Sequence, residues 1–222
     1  MNGLIIDIHD VLIDSRGVRA QAWREACKFC GFEVSLDFVR QNLDYPQNTA
    51  LINTIGIGLG SPDGKRIYER YLYLLEHRFI HRVIAPLEVD KFLAVLKNVG
   101  RSRQVGLVSE EPSKLLMRYL HAAGADFLFQ ELPEEECTSG LFSFRNELQS
   151  AVERMNMSPQ SSVLITANAS RAHAAQQLNI PVVLITAQAI KNDGTYGVLR
   201  QYRTTRELSD LFYKEVAPLL VQ

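Results

Sequence analysis

Four short, almost wholly apolar runs constrain this chain more than any other feature: Leu4–Ile8, Gln104–Val108, Ser162–Ile165 and Val182–Ile185. A strand that is apolar at consecutive positions has both faces buried, the pattern of a parallel sheet covered by helices on either side. Helical periodicity fills the intervals, at Val89–Lys97, Pro112–Ala122, Asn146–Met155 and Ser170–Leu178. Strand and helix in alternation predict a doubly wound α/β sheet.

The interval between the first two runs is too long for one crossover. It reads as helix nearly throughout, over Arg19–Cys30, Leu36–Asn42, Asn48–Ile55 and Asp63–His81, with breaks at Gly31, Pro46 and the stretch Gly56–Pro62. The expectation is an inserted all-helical cap over residues 16–82 on an α/β core formed by residues 1–15 and 83–222. Gly64-Lys65 resembles the end of a phosphate-binding loop, but Leu59 stands where the first glycine of that motif must fall and no strand precedes it. That reading is excluded.

Composition narrows the function classes. The 222 residues are 46% hydrophobic and 22% charged, and Lys+Arg 24 against Asp+Glu 25 leaves a net charge of -1 with neither sign gathered into a block. Nucleic acid is therefore not an expected partner, and no apolar stretch reaches the length of a bilayer span. Met1–Asp10 has no basic region and carries Asp7 inside its apolar run, so a cytoplasmic protein is expected. Three cysteines are too few for a disulfide scaffold. Cys27 and Cys30 form a CxxC within a helix, with only Cys137 elsewhere, and read as buried free thiols.

Ligands of an open parallel sheet bind beyond the carboxyl ends of its strands. Those ends carry Asp7, Ser109, Thr166-Ala167-Asn168 and Thr186. Asp7 can be a nucleophile or a turn former, and Ser109, before Glu110-Glu111-Pro112, can be a site residue or a helix cap; spacing alone leaves both open.

The segment Ile5-Ile6-Asp7-Ile8-His9-Asp10-Val11-Leu12-Ile13-Asp14-Ser15 resembles the first motif of the haloacid dehalogenase superfamily, Asp-x-Asp-Gly-Val-Leu-x-Asp-Ser. The helical insert starts where the β-phosphoglucomutase and phosphoglycolate phosphatase branch carries its cap. Ser109 follows the second strand as that family's second-motif Ser or Thr does. Ile165-Thr166-Ala167-Asn168, with Ala174-Ala175 and Asn179-Ile180 behind it, resembles the fourth motif. The resemblance implies phosphoryl transfer to Asp7, protonation of the leaving group from position 9, a Lys on the phosphoryl charge, and Mg²⁺ held by fourth-motif acids.

Several of those parts are missing. The acid/base position is His9, the glycine after it is Asp10, the fourth motif's Gly-Asp falls on Thr166-Ala167, and its second Asp falls on Arg171. The third motif's Lys should lie near Leu141–Arg145, where only Arg145 is basic. No shift of alignment repairs this: Arg154–Asn192 contains no Asp or Glu, and Leu115–Ile190 contains no Lys. A hard dication needs anionic oxygens, so no metal ligands are assigned and Mg²⁺ is expected to be absent or weakly held.

Two functions follow from the resemblance. One is a catalytically degenerate pseudo-phosphatase kept as a binding or regulatory module, which the missing acids favour. The other is an active hydrolase of a small phosphorylated metabolite, with Asp7 as nucleophile, His9 as general acid, and Arg145 and Arg171 as electrostatic clamps. In either case Asp7, His9 and Ser109 are the catalytic positions, and Arg145, Asn168, Arg171, Arg19, Trp23, Gln47 and Lys65 are the ligand-binding candidates. Partners are a small phosphorylated or anionic metabolite, or a protein. Glu131 and Glu134–Glu136 read as a solvated turn. Arg171 is expected to pair with Asp7 or Asp10, because a carboxylate deprived of its dication is costly to bury alone.

Overall fold

The computed structural model describes residues 3–43, 45, 47–83, 85, 89–109, 111–131, 144–187 and 198–220, with the side chains of 47, 48, 113 and 129–131 left aside. β1 (Gly3–Asp7), β2 (Val105–Val108), β3 (Ser162–Thr166), β4 (Val182–Ile185) and β5 (Val198–Tyr202) form one sheet in the order β2-β1-β3-β4-β5. Every pairing is parallel. β1 through β4 are buried at every residue, as consecutive apolar positions require.

Side-chain alternation splits those runs between two layers. Leu4, Ile6, Leu107, Val163 and Ile165 pack with Phe92 and Leu96 of α5 (Val89–Val99), Leu116 and Leu120 of α6 (Ser113–Ala122) and Leu208 of α9 (Thr205–Leu211). Ile5, Leu164, Val182 and Leu184 face the other way, onto Phe144, Leu148 and Ala151 of α7 (Phe144–Arg154) and Ala172 and Ala175 of α8 (Ala169–Gln176). β5 has no counterpart among the apolar runs. It is an edge strand whose Leu199, Arg200 and Gln201 are exposed, so burial imprinted no pattern on it.

Between β1 and α5 the chain is helical: α1 (Arg16–Phe29), α2 (Leu36–Asn42), α3 (Gln47–Ile55) and α4 (Pro62–Leu74), the last continuing as a π turn over Leu75–Phe79 and a 3-10 turn over Ile80–Arg82. Buried residues of this insert, among them Trp23, Tyr71, Leu74 and Phe79, join the same apolar cluster as Ile6 and Leu107 of the sheet. Ser35 and Ser61 cap α2 and α4, each accepting a backbone N–H three residues on. The glycine before Lys65 has a packing role: a Cβ on Gly64 would lie 2.1 Å from the Gly58 carbonyl oxygen. The insert is thus the all-helical cap expected, carried on a doubly wound core. Cys27 is buried, with its thiol pushed up to about 11 by burial, whereas Cys30 is only half-buried, a correction to the expectation for the pair. Cys137 and Glu134–Glu136 lie outside the described residues.

Candidate functional site

Asp7 ends β1 where the strand order reverses: the next strand lies on one side of β1 and the one after on the other. A sheet opens a crevice at such a switch point. Register places Asp7 beside Val108, and hence beside the Ser109 that follows it.

The Asp7 carboxylate is fully buried and engaged at both oxygens. Oδ2 accepts from the Thr166 hydroxyl at 2.6 Å, and Oδ1 accepts from the Arg171 guanidinium. Arg171 is itself 4% exposed, one turn into α8, with its guanidinium 4.7 Å from the Phe144 ring centroid. The pair expected from charge accounting is present. Each member neutralises the other in a setting where either alone would carry a desolvation penalty of several kcal/mol. Asn168 caps α8: its Oδ1 accepts from the Ser170 and Arg171 amides, which fixes the turn that aims Arg171 at Asp7.

A second buried network adjoins the first. His9 is 3% exposed; its Nδ1 lies 2.9 Å from Ser15 Oγ, and its Nε2 lies 3.3 Å from Ser109 Oγ and 3.4 Å from Glu111 Oε2. Tyr119 meets the imidazole edge-on, with centroids 5.7 Å apart. Glu111 is the centre of the network. Its Oε1 accepts from the Tyr71 hydroxyl at 2.7 Å and lies 3.3 Å from Arg19 Nε, and its amide donates to Ser109 Oγ at 3.1 Å. Burial pushes the Glu111 carboxyl up, but the His9 and Arg19 charges and the Tyr71 hydroxyl outweigh it and hold the group down at about 2. Trp23 stacks on Tyr71 with centroids 4.3 Å apart and so braces the hydroxyl from behind.

The sequence candidates therefore separate. Asp7, Arg171 and Asn168 meet at the end of the sheet; His9, Ser109, Arg19 and Trp23 converge on or around Glu111. Arg145 and Lys65 are exposed, on α7 and α4, and neither joins these contacts. Phe144, not Arg145, is the α7 residue that reaches the site. The side chain of Gln47 lies outside the described residues. Glu111 went unnoticed because Glu110-Glu111-Pro112 reads as the start of a helix. The signal that finds it is Arg19, a charge on the buried stripe of α1 with Trp23, Ala26 and Cys27, which demands a carboxylate opposite.

The arrangement does not fit a Mg²⁺ ion. Both Asp7 oxygens are occupied, the end of β3 supplies Thr166, Ala167 and an Asn168 already committed to its helix, and no group of three His, Cys, Asp or Glu among the described residues could hold a metal.

No protein-family model matches this sequence, and no curated protein matches it. Solved structures do. A hydrolase from Pseudomonas syringae is 15% identical with a TM-score of 0.76 over 96% of this chain and 99% of its own. A haloacid dehalogenase-like family hydrolase from Streptococcus pneumoniae is 12% identical, with a TM-score of 0.74 over 96% and 98%. The chain has the haloacid dehalogenase fold with a helical cap. CbbY from Rhodobacter sphaeroides, in complex with phosphate, is 13% identical with a TM-score of 0.65 over 94% of this chain and 96% of its own. Among the described residues no helix is long and apolar enough to cross a membrane.

Proposed function

We propose that this chain is a pseudo-phosphatase: a haloacid dehalogenase-fold protein whose phosphoryl-transfer site is closed by its own side chains and which serves as a binding or regulatory module. The observation that carries this reading is the Arg171–Asp7 pair. A nucleophile must be free to approach phosphorus, and here the guanidinium and the Thr166 hydroxyl take both carboxylate oxygens. Phosphoryl transfer also needs cations placed on the transferred group. The cation in this site is spent on the nucleophile.

The engagement of His9, the acid of the active-hydrolase reading, supports the same conclusion. Its buried ring bonds Ser15 at Nδ1 and lies beside Ser109 and Glu111 at Nε2, so both nitrogens already have partners within the protein. That CbbY is found with phosphate supports an anionic, phosphorylated metabolite as the class of ligand for which this fold is suited, and a cytoplasmic setting accords with such ligands. We also take residues 16–82 as a cap unit distinct from 1–15 and 83–222.

The deciding experiment is hydrolysis of a generic phosphate monoester with and without Mg²⁺, beside calorimetric Mg²⁺ titration. No turnover above an Asp7→Asn control and no micromolar Mg²⁺ binding are expected. Metal-dependent turnover abolished by Asp7→Asn overturns the proposal. Arg171→Asp alone is expected to restore no activity, since Ala167 and the missing Lys stay unrepaired.

A further inference from the structure

The insert carries a second concave feature that shares no residue with the Asp7 and Glu111 networks. It is a groove of about 830 Å³ between α1 and α4, well inside the range of small-molecule sites. One wall is a single stripe of α1 that includes Arg24, Lys28 and Phe29; the other is a stripe of α4 and its π turn with Arg70, Leu74 and Arg78 at intervals of one turn. Four cations face two carboxylates, Glu25 and Glu33, and Glu25 is taken by Arg78. Arg24, Lys28 and Arg70 are left with no carboxylate partner among the described residues. The Arg70 Nε is buried and without a hydrogen-bond partner. In a chain of net charge -1 such a concentration of unanswered positive charge is local, and it complements an anion.

The groove also presents a flat ring, that of Phe29. The Arg70 guanidinium lies 4.4 Å from its centroid and 4.9 Å from that of Tyr73, which stands outside the groove lining. Phe29 is nonetheless 63% exposed. A large ring held in place and left open to water offers stacking surface to a planar ligand. An acidic peptide would use the cations and leave the ring idle, whereas a nucleotide uses both.

We propose that this groove binds a nucleotide-class ligand, its phosphates on Arg24, Lys28 and Arg70 and its base against Phe29. The proposal is independent of whether the sheet-end site is inactive, since no lining residue is shared. Its test is calorimetry on the full chain with ADP, adenosine and pyrophosphate. ADP is expected to bind saturably and more tightly than either fragment. Lys28→Gln, at an exposed position that leaves the fold intact, is expected to weaken ADP about fivefold and to reduce the salt dependence of binding. Phe29→Ala is expected to erase the preference for ADP over pyrophosphate, and Asp7→Asn, measured where it remains folded, to leave ADP affinity as it is. Absence of saturable ADP binding up to about 1 mM overturns the proposal. So does affinity for ADP no greater than for pyrophosphate, affinity unchanged by both groove substitutions, or tighter capture of an acidic peptide than of ADP.

Discussion

Asp7 and Glu111 are both buried carboxylates paired with a buried arginine, and they do different work. The partners of Asp7, Thr166 and Arg171, come from β3 and α8, so that pair is internal to the α/β core. The partners of Glu111 come from elsewhere: Arg19 and Tyr71 from the helical insert and His9 from the loop after β1. On the pseudo-phosphatase reading proposed above, the first pair alters chemistry, by occupying the carboxylate that would serve as nucleophile. The second alters geometry, because lifting the insert off the core would strand a carboxylate on one side and a guanidinium on the other. A cap that must open to admit substrate is poorly served by such a lock, which accords with the pseudo-phosphatase reading.

Breaking the Glu111 network is the largest perturbation available. Glu111→Ala leaves Arg19 buried with only the Tyr71 hydroxyl, and should cost about 3–5 kcal/mol in urea unfolding, the usual penalty for an orphaned buried charge. Hydrogen exchange should quicken first in residues 16–82. Equal acceleration across insert and core would show that the pair does not join them.

Acid should expose the same network without mutation. The Glu111 carboxyl sits at about 2 in the fold against an ordinary 4.5, so its contribution is fully present above about pH 4.5 and is lost as pH falls towards 2. That difference corresponds to about 3 kcal/mol. Stability measured from pH 5 to 2 should fall steeply in the native chain and flatten in Glu111→Gln. A native-like acid limb in that variant would assign the loss to other carboxylates.

The Asp7 pair is probed by a double-mutant cycle. Arg171→Met and Asp7→Asn should each destabilise, and the double variant should cost less than their sum by about 2 kcal/mol, as contacting charges do. Additivity would mean that the two groups do not interact in solution. As a single variant, Asp7→Asn should cost less than Glu111→Ala, because its amide oxygen is still able to accept from Thr166.

What the sequence disclosed follows from where physics leaves a periodic trace. β1 through β4 were legible because burial on both faces demands unbroken apolar runs; β5 was not, because Leu199, Arg200 and Gln201 stand at an edge in water. Asp7 and Arg171 were legible through motif position and the absence of any other acid along β3 and α8. Glu111 was not, since its meaning depends on Arg19 and Tyr71, 92 and 40 residues away, and no local pattern records a contact across that span. Arg145 misled for the same reason in reverse: a plausible charge near the right place, on a helix that turns Phe144 inward and leaves Arg145 in solvent.

The smallest expected effect lies in the loop between the two networks. Asp10 adopts φ 62, a left-handed conformation in which Gly is favoured and Asp tolerated, at the position where the resembled motif carries Gly. Its Oδ1 is buried without a hydrogen-bond partner, and its charge helps to raise the Asp14 carboxyl, though burial of Asp14 contributes more. Asp10→Gly removes the steric strain, the unsatisfied oxygen and the repulsion together. Against these stands the added freedom of glycine in the unfolded chain, so the net gain should be about 1 kcal/mol. Urea midpoints should rise, and the Asp14 carboxyl, followed by NMR, should titrate lower than in the native chain. A variant that lost stability would show that glycine's added freedom, together with the attraction between Asp10 and Arg19, outweighs the relief of strain and repulsion.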